Sequence, residues 1–166
     1  MKPLARSIAT LGMVGYARPA PGTWGSLVAL PLAGGVHSIA GFPALLWGVV
    51  GVTLLGWWAV REAAEGMEDP DASEFVIDEV AGQWIALLPV SASAWWLGID
   101  PLRLWPGILA AFLLFRLFDI WKPGPIGWAD RLGTPWGVML DDLIAGAFAA
   151  VGVLLLALAA HGAMGW

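Results

Sequence analysis

From Pro19 to Val60 the chain runs for 42 residues without a single Asp, Glu, Lys or Arg, and nothing else in it limits the fold so strongly. A bilayer core is crossed by about 20 apolar residues in a helix, so this stretch is too long for one span and suits two. Pro31, Gly34-Gly35 and Gly41-Phe42-Pro43 punctuate it, which predicts helices of roughly Trp24 to Ala40 and Pro43 to Val60. With a mean hydropathy of +0.77 and only 13% charged residues, the whole chain lies outside the usual range of soluble domains.

Three further apolar runs follow: Val80 to Ile99, a shorter one from Leu102 to Phe118, and Leu143 to Met164. Before them, Lys2 and Arg6 precede a stretch interrupted by Gly12 and Gly15, which reads as an uncleaved interfacial helix rather than a signal peptide. The expected fold is all-α: one membrane-embedded domain over residues 1–166, a polytopic bundle of about five hydrophobic helices plus that amino-terminal helix.

Basic residues of short loops favour the cytoplasmic side. One span before Arg61 would divide the eight Lys and Arg evenly between the two faces; two spans place seven of them together and leave only Arg103 opposite. The same arrangement gathers twelve of the thirteen carboxylates, leaving Asp100 alone. One charged, cytoplasmic face results. Trp57-Trp58, Trp95-Trp96, Trp105, Trp121, Trp128 and Trp136 fall near span ends, where amphipathic indoles favour the interface.

Composition also excludes. The absence of cysteine removes disulfides, thiolate metal sites and thiol nucleophiles. A net charge of −5 argues against nucleic acid as a partner. His37 and His161 are assigned to the face opposite the charged one, as ordinary polar residues near helix ends. Asp69-Pro-Asp71-Ala-Ser73 begins like a calcium loop but lacks the later Gly and Glu, so it reads as a solvated turn.

The remaining ionisable residues form two groups. Asp78-Glu79 opens the third span, where the helix dipole favours negative charge; capping alone explains one acid, but two adjacent ones repel unless a cation lies between them. Gly82 frees the same helix face for close approach. Arg116, Asp119 and Lys122, spaced three apart, share a face of the fourth helix before Pro123 and Pro125 stop it. A solvating ladder has this pattern too, yet Arg116 falls inside a span, where an unpaired guanidinium is expensive. Asp130-Arg131 follows, and Asp141-Asp142 opens the last span with Gly146 on the next turn.

Two helix heads with paired carboxylates, meeting on one face with Asp119 between them, would make an all-oxygen cage suited to Mg2+ or Mn2+. Arg116, Lys122 and Arg131 would complement a phosphate. Such a pairing points to phosphoryl chemistry. Pro21-Gly-Thr-Trp-Gly-Ser26 adds two hydroxyls and two glycines to that face; Gly-rich backbone presents N–H groups to an anion, and a turn capped by Thr23 or Ser26 has the same pattern.

Pro21-Gly-Thr-x-Gly-Ser26, Asp78-Glu-x-x-Gly82, Phe115-Arg-x-x-Asp119-x-x-Lys-Pro-x-Pro-Ile126, Asp130-Arg131 and Met139-x-Asp-Asp-x-x-Ala-Gly146, in that order, resemble the phosphatidylglycerophosphatase A family over residues 10 to 150. The resemblance implies an all-helical, multi-pass enzyme of the bacterial inner membrane that uses Mg2+ to remove the terminal phosphate of phosphatidylglycerophosphate, giving phosphatidylglycerol. By position it implies Asp78, Glu79, Asp119 and Asp142 as catalytic, Glu79, Asp119, Asp141 and Asp142 as metal ligands, and Thr23, Arg116, Lys122, Asp130 and Arg131 as substrate-binding. Water or an aspartyl carboxylate is the nucleophile. Where the family is richer in glycine, this chain reads Gly133-Thr-Pro-Trp-Gly137, which leaves that loop's shape open. Two rivals are a small cation transporter or channel, whose ionisable residues would lie deep in the spans, and a phosphatidyl-transferring enzyme, whose Asp-x-x-Asp-Gly-x-x-Ala-Arg pattern does not occur.

Overall fold

A computed structural model describes residues 2–67 and 72–164, with no strand among them; the Asp69–Asp71 turn lies outside the described residues. The elements are α1 (Lys2–Ala9), α2 (Pro21–Ala64), α3 (Ile77–Leu97), α4 (Trp105–Trp121), α5 (Pro125–Asp130) and α6 (Pro135–Met164), with 3-10 turns at Val14–Tyr16 and Pro101–Leu104.

The 44 residues of α2 are two helices. Ala40 and Gly41 leave helical geometry, Gly41 at φ 67° and ψ −152°, a region open essentially to glycine alone. The Trp95 ring also packs where a Gly41 Cβ would sit, so both the turn and the contact require glycine. Pro43 then starts the second arm, whose first turn needs no N–H from it. The arms run antiparallel: Gly25 and Gly56 both meet the start of α3, at Val76 and Ile77, while Gly41 meets its far end. The expected break before Pro43 is therefore present, and each arm is long enough to cross a bilayer.

α3 is the central helix, with 56% of its apolar stretch buried against 11–22% for the other long helices. Those others expose rows of large apolar side chains, among them Leu32, Leu54, Leu113 and Leu155. Such surface would drive a soluble protein to aggregate, and with four helices long and apolar enough to cross a bilayer it marks a membrane protein. Trp95, Trp96 and Trp105 ring one end, and Trp121, Trp128 and Trp136 the other, all exposed.

Two helix starts differ in their consequences. α3 begins at Ile77, so Asp78 and Glu79 do occupy its first turn. α6 begins earlier than the apolar pattern suggested. The Thr134 hydroxyl accepts the Gly137 N–H at 3.0 Å and Pro135 takes the first helical position, a start signal that the search for an apolar run passed over. Asp141 and Asp142 thus lie within α6, not at its head, and the helix-dipole argument does not extend to them. α4 starts at Trp105, three residues later than the apolar run, and extends to Trp121, where Lys122 adopts a left-handed conformation (φ 49°) and caps it before Pro123. Arg116 thus lies five residues before the end of α4, inside the helix as expected.

α3 and α6 cross at a pair of glycines. A Cβ on Gly146 would overlap the Gly82 carbonyl, and one on Gly82 would lie 2.6 Å from the Asp142 carbonyl oxygen. Small residues let backbones touch in this way. α1 lies against the same end of the bundle, with the Val76 N–H donating to the Ala9 carbonyl at 2.8 Å and Lys2 and Arg6 paired to Glu65 and Glu74.

Candidate active site

One turn from the glycine crossing, three carboxylates converge. Glu79 of α3, Asp119 of α4 and Asp142 of α6 each place an oxygen within 4.8 Å of the other two. Glu79 and Asp142 are buried, at 7% and 3% exposure. The crossing explains the meeting: Glu79 lies three residues before Gly82 and Asp142 four before Gly146, so backbone contact carries both acids to the same place.

Arg116 neutralises part of this charge. Its Nη1 donates to Glu79 Oε1 and Oε2 at 2.6 and 2.5 Å and pairs with Asp119 Oδ2 at 2.9 Å. The Ser26 hydroxyl donates to Glu79 Oε2 at 2.7 Å, and a Cβ on Gly22 would overlap Glu79 Oε1. The first turns of α2 therefore wrap the Glu79 carboxylate so closely that a side chain at position 22 would displace it.

Lys122 makes a second ion-pair group beside the first, bonding to Asp130 and, at 2.9 Å, to Asp141. Burial lowers its pKa, but the hydrogen bonds and charges of Asp130 and Asp141 outweigh that and hold the ammonium above the ordinary lysine value. Asp141 thus turns toward Lys122, while its neighbour Asp142 joins the carboxylate trio. Asp78 accepts the Glu79 N–H at 3.0 Å.

The two groups share a cavity of about 350 Å³, walled by Pro21, Gly22, Phe75 and Ala72 and by the charged residues Asp78, Glu79, Arg116, Asp119, Lys122, Asp141 and Asp142. Of the residues expected to bind substrate, Arg116 and Lys122 are on its wall. Thr23, half-buried on α2, Asp130 behind Lys122, and exposed Arg131 are not. Ser26 and Gly22 contact Glu79 directly, whereas sequence reasoning read their motif as an anion-presenting or capping turn; their spacing of four, which stacks them on one helix face, was the available signal. α5 was likewise unforeseen. It turns Asp130 back to Lys122.

The donor set fits a divalent metal in kind: three carboxylate oxygens make a hard, anionic site of the type that Mg2+ or Mn2+ takes. The guanidinium of Arg116 already bridges Glu79 and Asp119, so a cation is electrostatically called for at this point. Among the described residues, the ionisable side chains lie at one end of the long helices, apart from His37, Asp100, Arg103 and His161 at the other. Here His37 Nδ1 meets Ser91 Oγ at 2.7 Å.

The sequence matches the family model described as phosphatidylglycerophosphatase A over residues 7–157. A phosphatidylglycerophosphatase A of Haemophilus influenzae is 36% identical over 143 residues, covering 86% of this chain and 82% of the relative. One of Escherichia coli K12 is 33% identical over 133 residues, covering 78% and 70%. A Bacteroides thetaiotaomicron protein named as a candidate phosphatidylinositol-3-phosphatase is 36% identical over 138 residues, covering 81% of each. No solved structure matches the chain.

Proposed function

The chain belongs to the phosphatidylglycerophosphatase A family, and from that membership we propose that it hydrolyses the terminal phosphate of phosphatidylglycerophosphate to phosphatidylglycerol and inorganic phosphate. The observation that carries this reading is the meeting of Glu79, Asp119 and Asp142 beside Arg116 and Lys122 in one cavity at the end of lipid-facing helices. A phosphomonoester needs cations to hold it, and its hydrolysis needs a metal or acid–base group next to them. Both are here. The Bacteroides relative's name also denotes a phosphate monoester on a phospholipid, which supports the chemistry rather than one headgroup.

In this reading Glu79, Asp119 and Asp142 hold Mg2+, with Asp141 beside them. When bound, the ion polarises a phosphoryl oxygen and makes water more acidic. The chain's own residues do the rest. Lys122 and Arg116 donate charge-assisted hydrogen bonds to the phosphate oxygens, and Ser26 and Gly22 keep Glu79 from turning away. A carboxylate of the group accepts the proton that water loses as its oxygen bonds to phosphorus. The bond from phosphorus to the glycerol oxygen breaks, and that oxygen takes the proton held on the carboxyl and leaves as a hydroxyl. Asp130 holds Lys122, while Thr23 and Arg131, off the cavity wall, would contact a headgroup larger than phosphate. The excess of Lys and Arg at this end supports a cytoplasmic orientation in a bacterial inner membrane.

The test is phosphate release by the purified protein from phosphatidylglycerophosphate in detergent, with Mg2+ and then with EDTA. Release that stops on chelation and returns with Mg2+ is expected. No release, together with cation flux in proteoliposomes, would overturn the reading in favour of a transporter.

A further inference from the structure

A second, larger cavity of about 700 Å³ lies on the same three helices as the charged one and is almost wholly apolar. Its walls begin at Leu30 of α2, Leu87 of α3 and Ile108 of α4. Each lies eight residues from a charged-cavity residue on its own helix: Gly22, Glu79 and Arg116 respectively. At 1.5 Å per residue the two cavities are offset by about 12 Å along all three helices, with buried Ser26, Gln83 and Phe115 packed between them.

The polar side chains on the apolar wall are engaged within the protein. His37 pairs with Ser91 at 2.7 Å, Ser38 donates to the Gly35 carbonyl at 2.7 Å, and Asp100 accepts the Leu102 N–H at 2.8 Å. The volume is that of a ligand site, while the chemistry suits only hydrocarbon.

We infer that this groove receives an acyl chain of the substrate lipid, holding it in register while the terminal phosphate occupies the charged cavity. The inference rests on the phosphatase reading above and extends it to the lipid tail. An offset of about 12 Å is spanned by the phosphoglycerol headgroup and phosphodiester passing over this packed layer along the helix surface, so the first methylenes arrive where the wall turns apolar. Bilayer tails are as apolar as the groove, so the groove provides position rather than hydrophobic gain. Position is what an in-line displacement requires.

Gly34 offers the test, because it lines the groove and a Cβ there meets nothing within 4 Å. Gly34→Trp should lower kcat/KM for the dioleoyl substrate roughly tenfold and leave the dihexanoyl substrate, too short to reach the groove, unchanged. Loss on neither substrate, or equal loss on both, would overturn the inference. An independent arm needs no turnover: phosphatidylglycerophosphate with a diazirine in mid-chain is photolysed with the wild-type protein in micelles, beside a phosphatidylcholine bearing the same chain. Label concentrated on residues 30–37 and 87–91 by the first lipid alone is expected. The same pattern from both lipids would mean nonspecific boundary lipid and overturn the groove's role. Phosphate release by the wild type reports on the phosphatase reading separately, since the label reports where the tail lies whether or not phosphate leaves.

Discussion

A single guanidinium nitrogen of Arg116 donates to both carboxylate oxygens of Glu79, at 2.6 and 2.5 Å, in a site where both side chains are largely hidden from water. Removing one partner of such a pair strands the other as a buried charge. Arg116→Ala should therefore cost about 3–5 kcal/mol of stability as well as activity. Thermal unfolding in detergent reads the first, and Mg2+ should recover part of the loss by neutralising Glu79 in the arginine's place. If Mg2+ stabilises wild type and variant equally, the trio does not bind the ion.

Asp141 and Asp142 are neighbours with different contacts, and neutralising each should separate two kinetic effects. Asp142→Asn removes a member of the carboxylate trio and should lower kcat on the order of 10²–10³-fold with a raised Mg2+ requirement. Asp141→Asn loosens Lys122 instead and should act mainly through KM, at an unchanged Mg2+ requirement. Metal titrations of the two variants compare these outcomes directly; identical shifts would assign both acids to the ion.

Gly146→Ala tests the helix crossing. The added methyl overlaps the Gly82 carbonyl, so α3 and α6 must part, at a cost typical of overpacking, about 1–3 kcal/mol. Activity should fall further than stability does, because the same shift separates Glu79 from Asp142. Gly51→Ala, with open space around it, is the control expected to leave both unchanged.

Lys122 fixes a sign in the pH dependence. Its pKa is raised on folding, so its contribution to stability is complete below the ordinary lysine value of about 10.4 and fades only as pH climbs through the higher folded value. Across pH 6–9 the ammonium stays charged. Lys122→Met should then reduce kcat/KM by the same factor throughout that range, and a penalty that disappeared toward pH 9 would contradict the paired ammonium.

Much of this architecture is legible in the sequence because lipid imposes strict rules on it. The charge-free run from Pro19 to Val60 demands two helices, and Gly41 followed by Pro43 marks where the chain turns. The positive-inside count then places Glu79, Asp119 and Asp142 at one end. Contacts were harder to read. The Arg116–Asp119–Lys122 spacing suggested one ladder, but the left-handed turn at Lys122 swings its ammonium to Asp130 and Asp141. Asp141-Asp142 resembled a helix head because hydropathy rises only after it, whereas Thr134 and Pro135 had already started the helix. Gly22 and Ser26 share one helix face by their spacing of four, but that this face meets Glu79 depends on α3 packing on α2, a long-range fact that the spacing does not carry.

The touching backbones of Gly82 and Gly146 act as a fulcrum set close to the reacting end. A 10° rocking of α3 against α6 about that point moves acids one turn away by only about 1 Å, while the far end of α3 swings by about 4 Å. Thickening or thinning of the bilayer would thus be absorbed at the distant leaflet, and the spacing between Glu79 and Asp142 would hold steady as membrane composition changes.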